Sequence, residues 1–140
     1  FLIMEGVTWF THKYVMHGFL WNLHEDHHTK DPGFFEKNDY FFLIFAIPSW
    51  LCIMLGMIYG VPESVGFGFG IAAYGLTYFL VHELFIHQRF RFFQKTESPY
   101  WKAVRLKHKM HHKTLGKEGA EHFGLLWVPL AWIRDQKKAV

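Results

Sequence analysis

Cysteine is almost absent from this 140-residue chain, in which Cys52 stands alone. One thiol excludes a disulfide framework, a redox dithiol and an iron–sulfur cluster held by several cysteines. A nucleotide fingerprint is missing too, because the glycines from Gly66 to Gly70 lack the GxGxxG spacing and a preceding strand. Lysine and arginine are absent from Asn38 to Gln88, and all fifteen basic residues lie outside that stretch. Histidine is absent from Lys30 to Val81, although the chain has eleven.

Those histidines are clustered. Ten fall into four boxes: His12 and His17, then His24, His27 and His28, then His82 and His87, then His108, His111 and His112. The order is HxxxxH, HxxHH, HxxxxH, HxxHH. Imidazole is the commonest protein metal ligand and suits iron, zinc, copper and nickel. Ten ligands exceed the about four to six that one ion takes, so two metals are expected. In a helix each triplet lies at i, i+3 and i+4, and its three rings share one side. Residues five apart are rotated by roughly 140° on an ideal helix, so the HxxxxH pairs require a wider two-metal centre or a fray or bulge in the helix. The eleventh, His122, stands apart and is expected to play a structural role or to support a ligand.

The chain is 51% hydrophobic and 20% aromatic, a composition that points to a bilayer before a soluble domain. Phe41 to Gly60 is twenty residues without a charge, the length of a span. A second apolar run extends from Val65 through Val81 into Ile86, and another begins at Phe1 and runs toward Phe10. The start within an apolar pattern predicts further residues upstream and a first span longer than it looks. The expected fold is therefore all-α, one membrane-embedded helical domain over residues 1–140. By the positive-inside rule the bare VPES turn at Val61 to Ser64 faces away from the cytoplasm. Lys13, Lys30, Lys37, Arg89, Arg91 and the C-terminal third then lie on the cytoplasmic side, with every histidine box. This bias accounts for the basic residues, and no nucleic acid partner is expected.

Other features are more local. Gly56 with Gly60, and Gly66 with Gly70, form GxxxG pairs suited to close helix approach. Pro48 predicts a kink in its span. Ser98-Pro99 predicts a helix start. Beyond it Trp101, Val104, His108, His111 and Leu115 form one stripe, beside a basic stripe of Lys102, Arg105, Lys109 and Lys113 that could meet lipid phosphates or an acidic protein. Phe123 to Ile133 is short and contains Pro129, which favours an interfacial or re-entrant segment. Carboxylates in apolar segments are costly. Glu83, four residues before His87, is expected to accept the free N–H of a metal-bound histidine. Glu5, seven before His12, is expected to do likewise or to line a polar path. Glu25 and Asp26, between ligands, are either solvated or balance the metal charge.

The boxes and their flanks, HKYVMHG from His12, NDYF from Asn38, YGLTYFLVHELFIHQRF from Tyr74 and RLKHKMHHKTLGKEG from Arg105, resemble the membrane di-iron fatty acid hydroxylase and sterol desaturase superfamily, and within it the bacterial β-carotene hydroxylases. The likeness covers nearly the whole chain. It implies that the ten boxed histidines hold two irons at the cytoplasmic face of a bacterial inner membrane. It implies dioxygen-dependent hydroxylation of β-carotene at C3 of the β-ionone rings, giving cryptoxanthin and then zeaxanthin. Electrons would come from an external donor, reduced ferredoxin with its reductase. An all-imidazole site would also accept zinc, which has no redox chemistry. Other readings of the same residues are a carotenoid 4-ketolase, a fatty acid or sterol hydroxylase, and a non-catalytic membrane subunit that binds metal or haem.

Overall fold

The structure, a computed structural model, describes residues 1–29, 34–90 and 95–138. Lys30 and Arg91, two of the basic residues that orient the topology, lie outside the described residues. Among those described there are helices and no strands, as expected of an all-α chain. Helix α1 (Ile3–Phe10) runs straight into a π-helical segment (Thr11–Phe19), and the backbone leaves the helical path at Gly18 before α2 (Trp21–Thr29) begins. A short 3-10 turn (Lys37–Asp39) leads into α3 (Tyr40–Tyr59). Helix α4 (Pro62–Tyr78) continues as a second π-helical segment (Phe79–Ile86), and α5 (Pro99–His111) and α6 (Leu130–Lys138) follow.

Two stretches are long and apolar enough to cross a membrane, Lys37–Tyr59 and Pro62–Ile86. Only 17% and 22% of their apolar windows is buried inside the molecule, so they are not core helices of a soluble protein. Phe42, Trp50, Met57, Phe67 and Leu76 point outward, a lipid-facing surface rather than a water-facing one. Helix α1 has eight residues and is not among these stretches.

The tight turn between α3 and α4 is fixed at both ends. Gly60 closes α3 in the left-handed conformation, φ +67°, and the Val61 N–H donates to the Gly56 carbonyl at 2.8 Å. Pro62 then occupies the first turn of α4, where its missing N–H costs nothing. Of the four GxxxG glycines only Gly56 lies in the α3–α4 contact, where Gly68 joins it, and Gly70 faces the Phe1 backbone instead. A Cβ on Gly56 would meet Val65 at 2.8 Å, and one on Gly68 would meet the Ser49 carbonyl at 2.7 Å. A Cβ on Gly66 would meet nothing, and Gly60 serves the turn. The Ser49 hydroxyl donates to the Gly68 carbonyl at 2.8 Å across the same contact. Gly68→Ala is therefore expected to destabilise the α3–α4 pair by about 1–3 kcal/mol through overpacking, measurable as a lower midpoint of unfolding in detergent. Gly66→Ala, the control, is expected to leave it unchanged.

Pro48 sits inside α3, which runs on through it to Tyr59. Helix α5 starts as expected, with Ser98 as cap residue and Pro99 in the first turn, although the serine side chain makes no capping bond. It ends at His111, so Leu115 and Lys113 lie beyond the helix rather than on its stripes. Trp101, Val104, His108 and His111 do face inward or partly so, but Lys107 is buried with them. The core gathers Met4, Ile71, Tyr74, Val81, Phe85, Ala103, Val104 and Leu125, against which Trp132 and Ile133 of α6 pack. Phe123 to Pro129 is an irregular return path with a bend at Leu125 and Leu126 and with α6 beginning at Leu130, and so forms no full span.

Candidate metal centre

Nearly all of the boxed histidines are buried together at the end of α3 and α4 opposite the Gly60 turn. Their rings divide into two groups. His12, His17, His24, His28 and His111 form one, with ligand atoms within 4.8 Å of one another, and His27, His82, His87 and His108 form the other. His112 joins the second through His108, its Nε2 lying 2.8 Å from the His108 Nε2. Each HxxHH triplet thus serves both groups. His24 and His28, one turn apart, face the first and His27 the second; His108 and His112 face the second and His111 the first.

The π-helical segments solve the HxxxxH spacing. A π-helix bonds i to i+5, so residues five apart stack on one face. The His87 N–H donates to the His82 carbonyl at 2.9 Å, and the Leu20 N–H to the Val15 carbonyl at 3.0 Å. Both members of each pair consequently point into the same group, His12 with His17 and His82 with His87.

Seven rings have their outer nitrogen, Nδ1, engaged. His12 donates to the Phe123 carbonyl at 3.0 Å, His17 to Lys117 at 3.0 Å, His28 to Thr114 at 2.9 Å and His111 to Glu121 at 2.7 Å. His24 donates to Asn38 Oδ1 at 2.7 Å, His27 to Glu36 Oε2 at 2.7 Å and His82 to Glu83 Oε1 at 2.6 Å. Carbonyls and carboxylates only accept, so each Nδ1 carries the proton and each Nε2 carries a lone pair. In the first group the Nε2 atoms face one another at 3.1 Å for His12 and His24, and at 3.2 Å for His17 and His28, His17 and His111, and His24 and His28. With no proton between them these contacts are not hydrogen bonds but converging lone pairs. A cation is what such a donor set fits. The buried His27 Nε2 likewise has no partner. Burial also keeps the rings neutral, pushing His28 down to about 4 and His111 and His87 each down to about 3.

The remaining expected site residues fall in different places. Glu83 accepts from His82, its neighbour, rather than from His87, and also meets Arg89 at 3.2 Å. Glu5 does not reach a ring nitrogen. Its carboxylate accepts from the Tyr74 hydroxyl at 2.6 Å and from the Leu126 and Trp127 N–H groups at 2.9 Å each, pinning the return path to α1 and α4. It borders a cleft of about 230 Å³ with Phe1, Leu2 and Trp127. The His122 side chain lies against Trp132, ring centres 4.9 Å apart, and away from both groups. Its backbone, at φ +67°, separates the Glu121 and Phe123 carbonyls that hold His111 and His12. Glu25 is exposed, and Asp26 accepts from the Lys37 N–H. Sequence reasoning missed Glu36, Asn38 and the four carbonyls. Asn38 lay in a quoted flanking word, and Glu36 with Asp39 forms a capping box before an apolar run, a legible signal. Carbonyl partners leave no trace in residue identity.

Comparison with known proteins now bears on the site. The fatty acid hydroxylase family model matches residues 1–133. The chain belongs to the fatty acid hydroxylase family. It is 41% identical over 126 residues to a β-carotene hydroxylase of Pseudescherichia vulneris and 42% identical over 126 residues to one of Pantoea ananas, covering 90% of this chain and 71% of each relative. A β-carotene hydroxylase of a Paracoccus strain is 32% identical over 129 residues, 91% of this chain and 79% of the relative. No solved structure matches the chain. This family member is a membrane-embedded hydroxylating oxidoreductase whose histidine cluster fits metal.

Proposed function

We propose that the chain is one membrane-embedded domain that hydroxylates β-carotene at C3 of its β-ionone rings, giving cryptoxanthin and then zeaxanthin, with two irons held by the ten boxed histidines. The observation that carries this is the convergence of ring nitrogens into two adjacent groups, the first made wholly of unprotonated Nε2 atoms, in a chain whose relatives are β-carotene hydroxylases. Bound iron would supply the activation of dioxygen against a ring C–H bond that no side chain can attack. The protein's share is positional. The backbone carbonyls and carboxylates on Nδ1 fix each ring's tautomer and direction. Burial of the rings excludes water, and the lipid-facing hairpin of α3 and α4 brings the site beside a substrate dissolved in the bilayer. The distribution of lysine and arginine supports a site on the cytoplasmic side of a bacterial inner membrane.

Each hydroxylation consumes one dioxygen, two electrons and two protons and releases one water. With one cysteine and no nucleotide fingerprint, the chain depends on an external donor, reduced ferredoxin. A groove beside α5 lined by Lys95, Lys102, Arg105 and Lys109 offers positive charge to an acidic partner.

Expression in a β-carotene-producing bacterium tests the reading, with products separated by chromatography and the purified chain then assayed in lipid. Cryptoxanthin and zeaxanthin are expected, and turnover of the purified chain is expected to need reduced ferredoxin. A 4-oxo product would reassign the chain as a ketolase, and untouched β-carotene beside a hydroxylated fatty acid or sterol would reassign the substrate.

A further inference from the structure

The two histidine groups differ in what stands behind the rings. In the five-histidine group every Nδ1 partner is neutral: four backbone carbonyls and the Asn38 amide. Behind the other group stand charges. His27 is backed by Glu36 and His82 by Glu83, at 2.7 and 2.6 Å. Arg89 ties these carboxylates together, 3.2 Å from Glu83 and 3.9 Å from Glu36, and bonds Asp39 at 2.8 Å. Asp39 in turn accepts from the Glu36 N–H at 3.1 Å, so the set is held by the 3-10 turn before α3. Three carboxylates and one guanidinium leave an excess of negative charge on one side of the centre.

A carboxylate on the outer nitrogen raises the basicity of an imidazole and holds its orientation, and its charge attracts a cation through a partly buried medium. Resting on the two-metal reading, we propose that the two metal positions are unlike, and that Glu36 and Glu83, organised by Arg89, make the His27, His82, His87, His108 position the one that binds first and more tightly. Glu36, Glu83 and Arg89 are positioning residues: they act on the ion only through His27 and His82.

Cobalt(II) is the probe. The purified chain in detergent is stripped with a chelator and titrated with cobalt(II) against a competing chelator, following visible absorption. Native chain is expected to take two cobalt ions in two resolved steps. Glu83→Gln and Glu36→Gln are each expected to weaken the tighter step about 10- to 100-fold and leave the looser one in place. Glu83→Asp, which keeps the charge, is expected to recover most of the loss. Asn38→Ala, which frees His24, is expected to weaken the looser step alone. Two equal steps in the native chain, or glutamine variants that weaken the looser step or neither, overturn the inequivalence and leave the two-metal reading intact. One cobalt ion per chain overturns both. Should the glutamine variants fail to fold, Mössbauer spectra of the native chain loaded with iron-57 decide: two unlike ferrous doublets of equal area are expected, and a single doublet overturns the proposal.

Discussion

Replacing His111 by alanine is expected to abolish hydroxylation and to leave the purified chain with less metal, while membrane insertion is unaffected. His111 is fully buried, its Nδ1 donates to the Glu121 carbonyl at 2.7 Å, and its Nε2 lies 3.2 Å from that of His17. Removing the ring takes a ligand from the first group, strands the Glu121 carbonyl and opens a void against His12, whose ring centre is 4.4 Å away. The spans are untouched, because His111 belongs to α5 and neither Lys37–Tyr59 nor Pro62–Ile86 contains it. His27, His28 and His112 are expected to behave alike, since each points its Nε2 into the centre or adjoins rings that do. Loss of product of at least about 100-fold is the expected scale, a ligand mattering more than the partners behind it, whose loss costs about 10- to 100-fold. Pigment analysis and metal content per chain provide the check. Full activity in any two of the four alanine variants would sink the assignment of the boxes to the metal centre.

The sequence made the membrane hairpin and the histidine clustering legible for physical reasons. A charge-free run of span length permits few folds, and buried imidazoles at i, i+3 and i+4 permit few partners. The split of each triplet between two groups was not legible. His27 lies one residue from His28 in sequence yet faces the other group, and only tertiary packing decides it, setting His27 against His82 and His87 and His28 against His17. Spacing did flag that His12 and His17 could not share a face of a regular helix. The π-helical answer matches that anomaly, as does the segment at His82 and His87. Glu5 is in register with His12, but its donors are the Tyr74 hydroxyl, 69 positions away, and the Leu126 and Trp127 N–H groups, 121 and 122 positions away. Such long-range pairings leave no local pattern. Lys107 was invisible for the same reason, a lysine in a basic helix whose partners, the Leu125 and Trp127 carbonyls, lie 18 and 20 positions away.

Lys107→Met is expected to lower the stability of the folded chain by about 2–5 kcal/mol and to weaken its hold on metal. The Lys107 ammonium is buried, donates to the Leu125 carbonyl at 3.1 Å and to the Trp127 carbonyl at 2.7 Å, and feels the Glu5 carboxylate nearby. Burial pushes its pKa down to about 8, so desolvation is being set against those bonds. Methionine fills similar space but donates nothing, leaving the buried Leu125 carbonyl and the part-buried Trp127 carbonyl without their donor, at up to about 1–3 kcal/mol each. It also removes the cation beside Glu5, whose carboxylate bonds the same return path through Leu126 and Trp127. Lys107 and Glu5 therefore clasp residues 125–127 from two sides, just beyond the Glu121 and Phe123 carbonyls that aim His111 and His12. A loosened clasp lets those carbonyls drift, and the rings lose their fixed direction before they lose their place in the fold. Unfolding in detergent gives the stability change, and hydrogen exchange at residues 121–127 gives the local one, expected to rise well before the α3–α4 hairpin opens. Glu5→Gln, which keeps shape and one acceptor oxygen, is expected to show the same pattern more weakly. If Lys107→Met leaves both exchange at 121–127 and metal content unchanged, the clasp does not reach the centre, and the carbonyls on His12 and His111 are held by the chain between Thr114 and Phe123 alone.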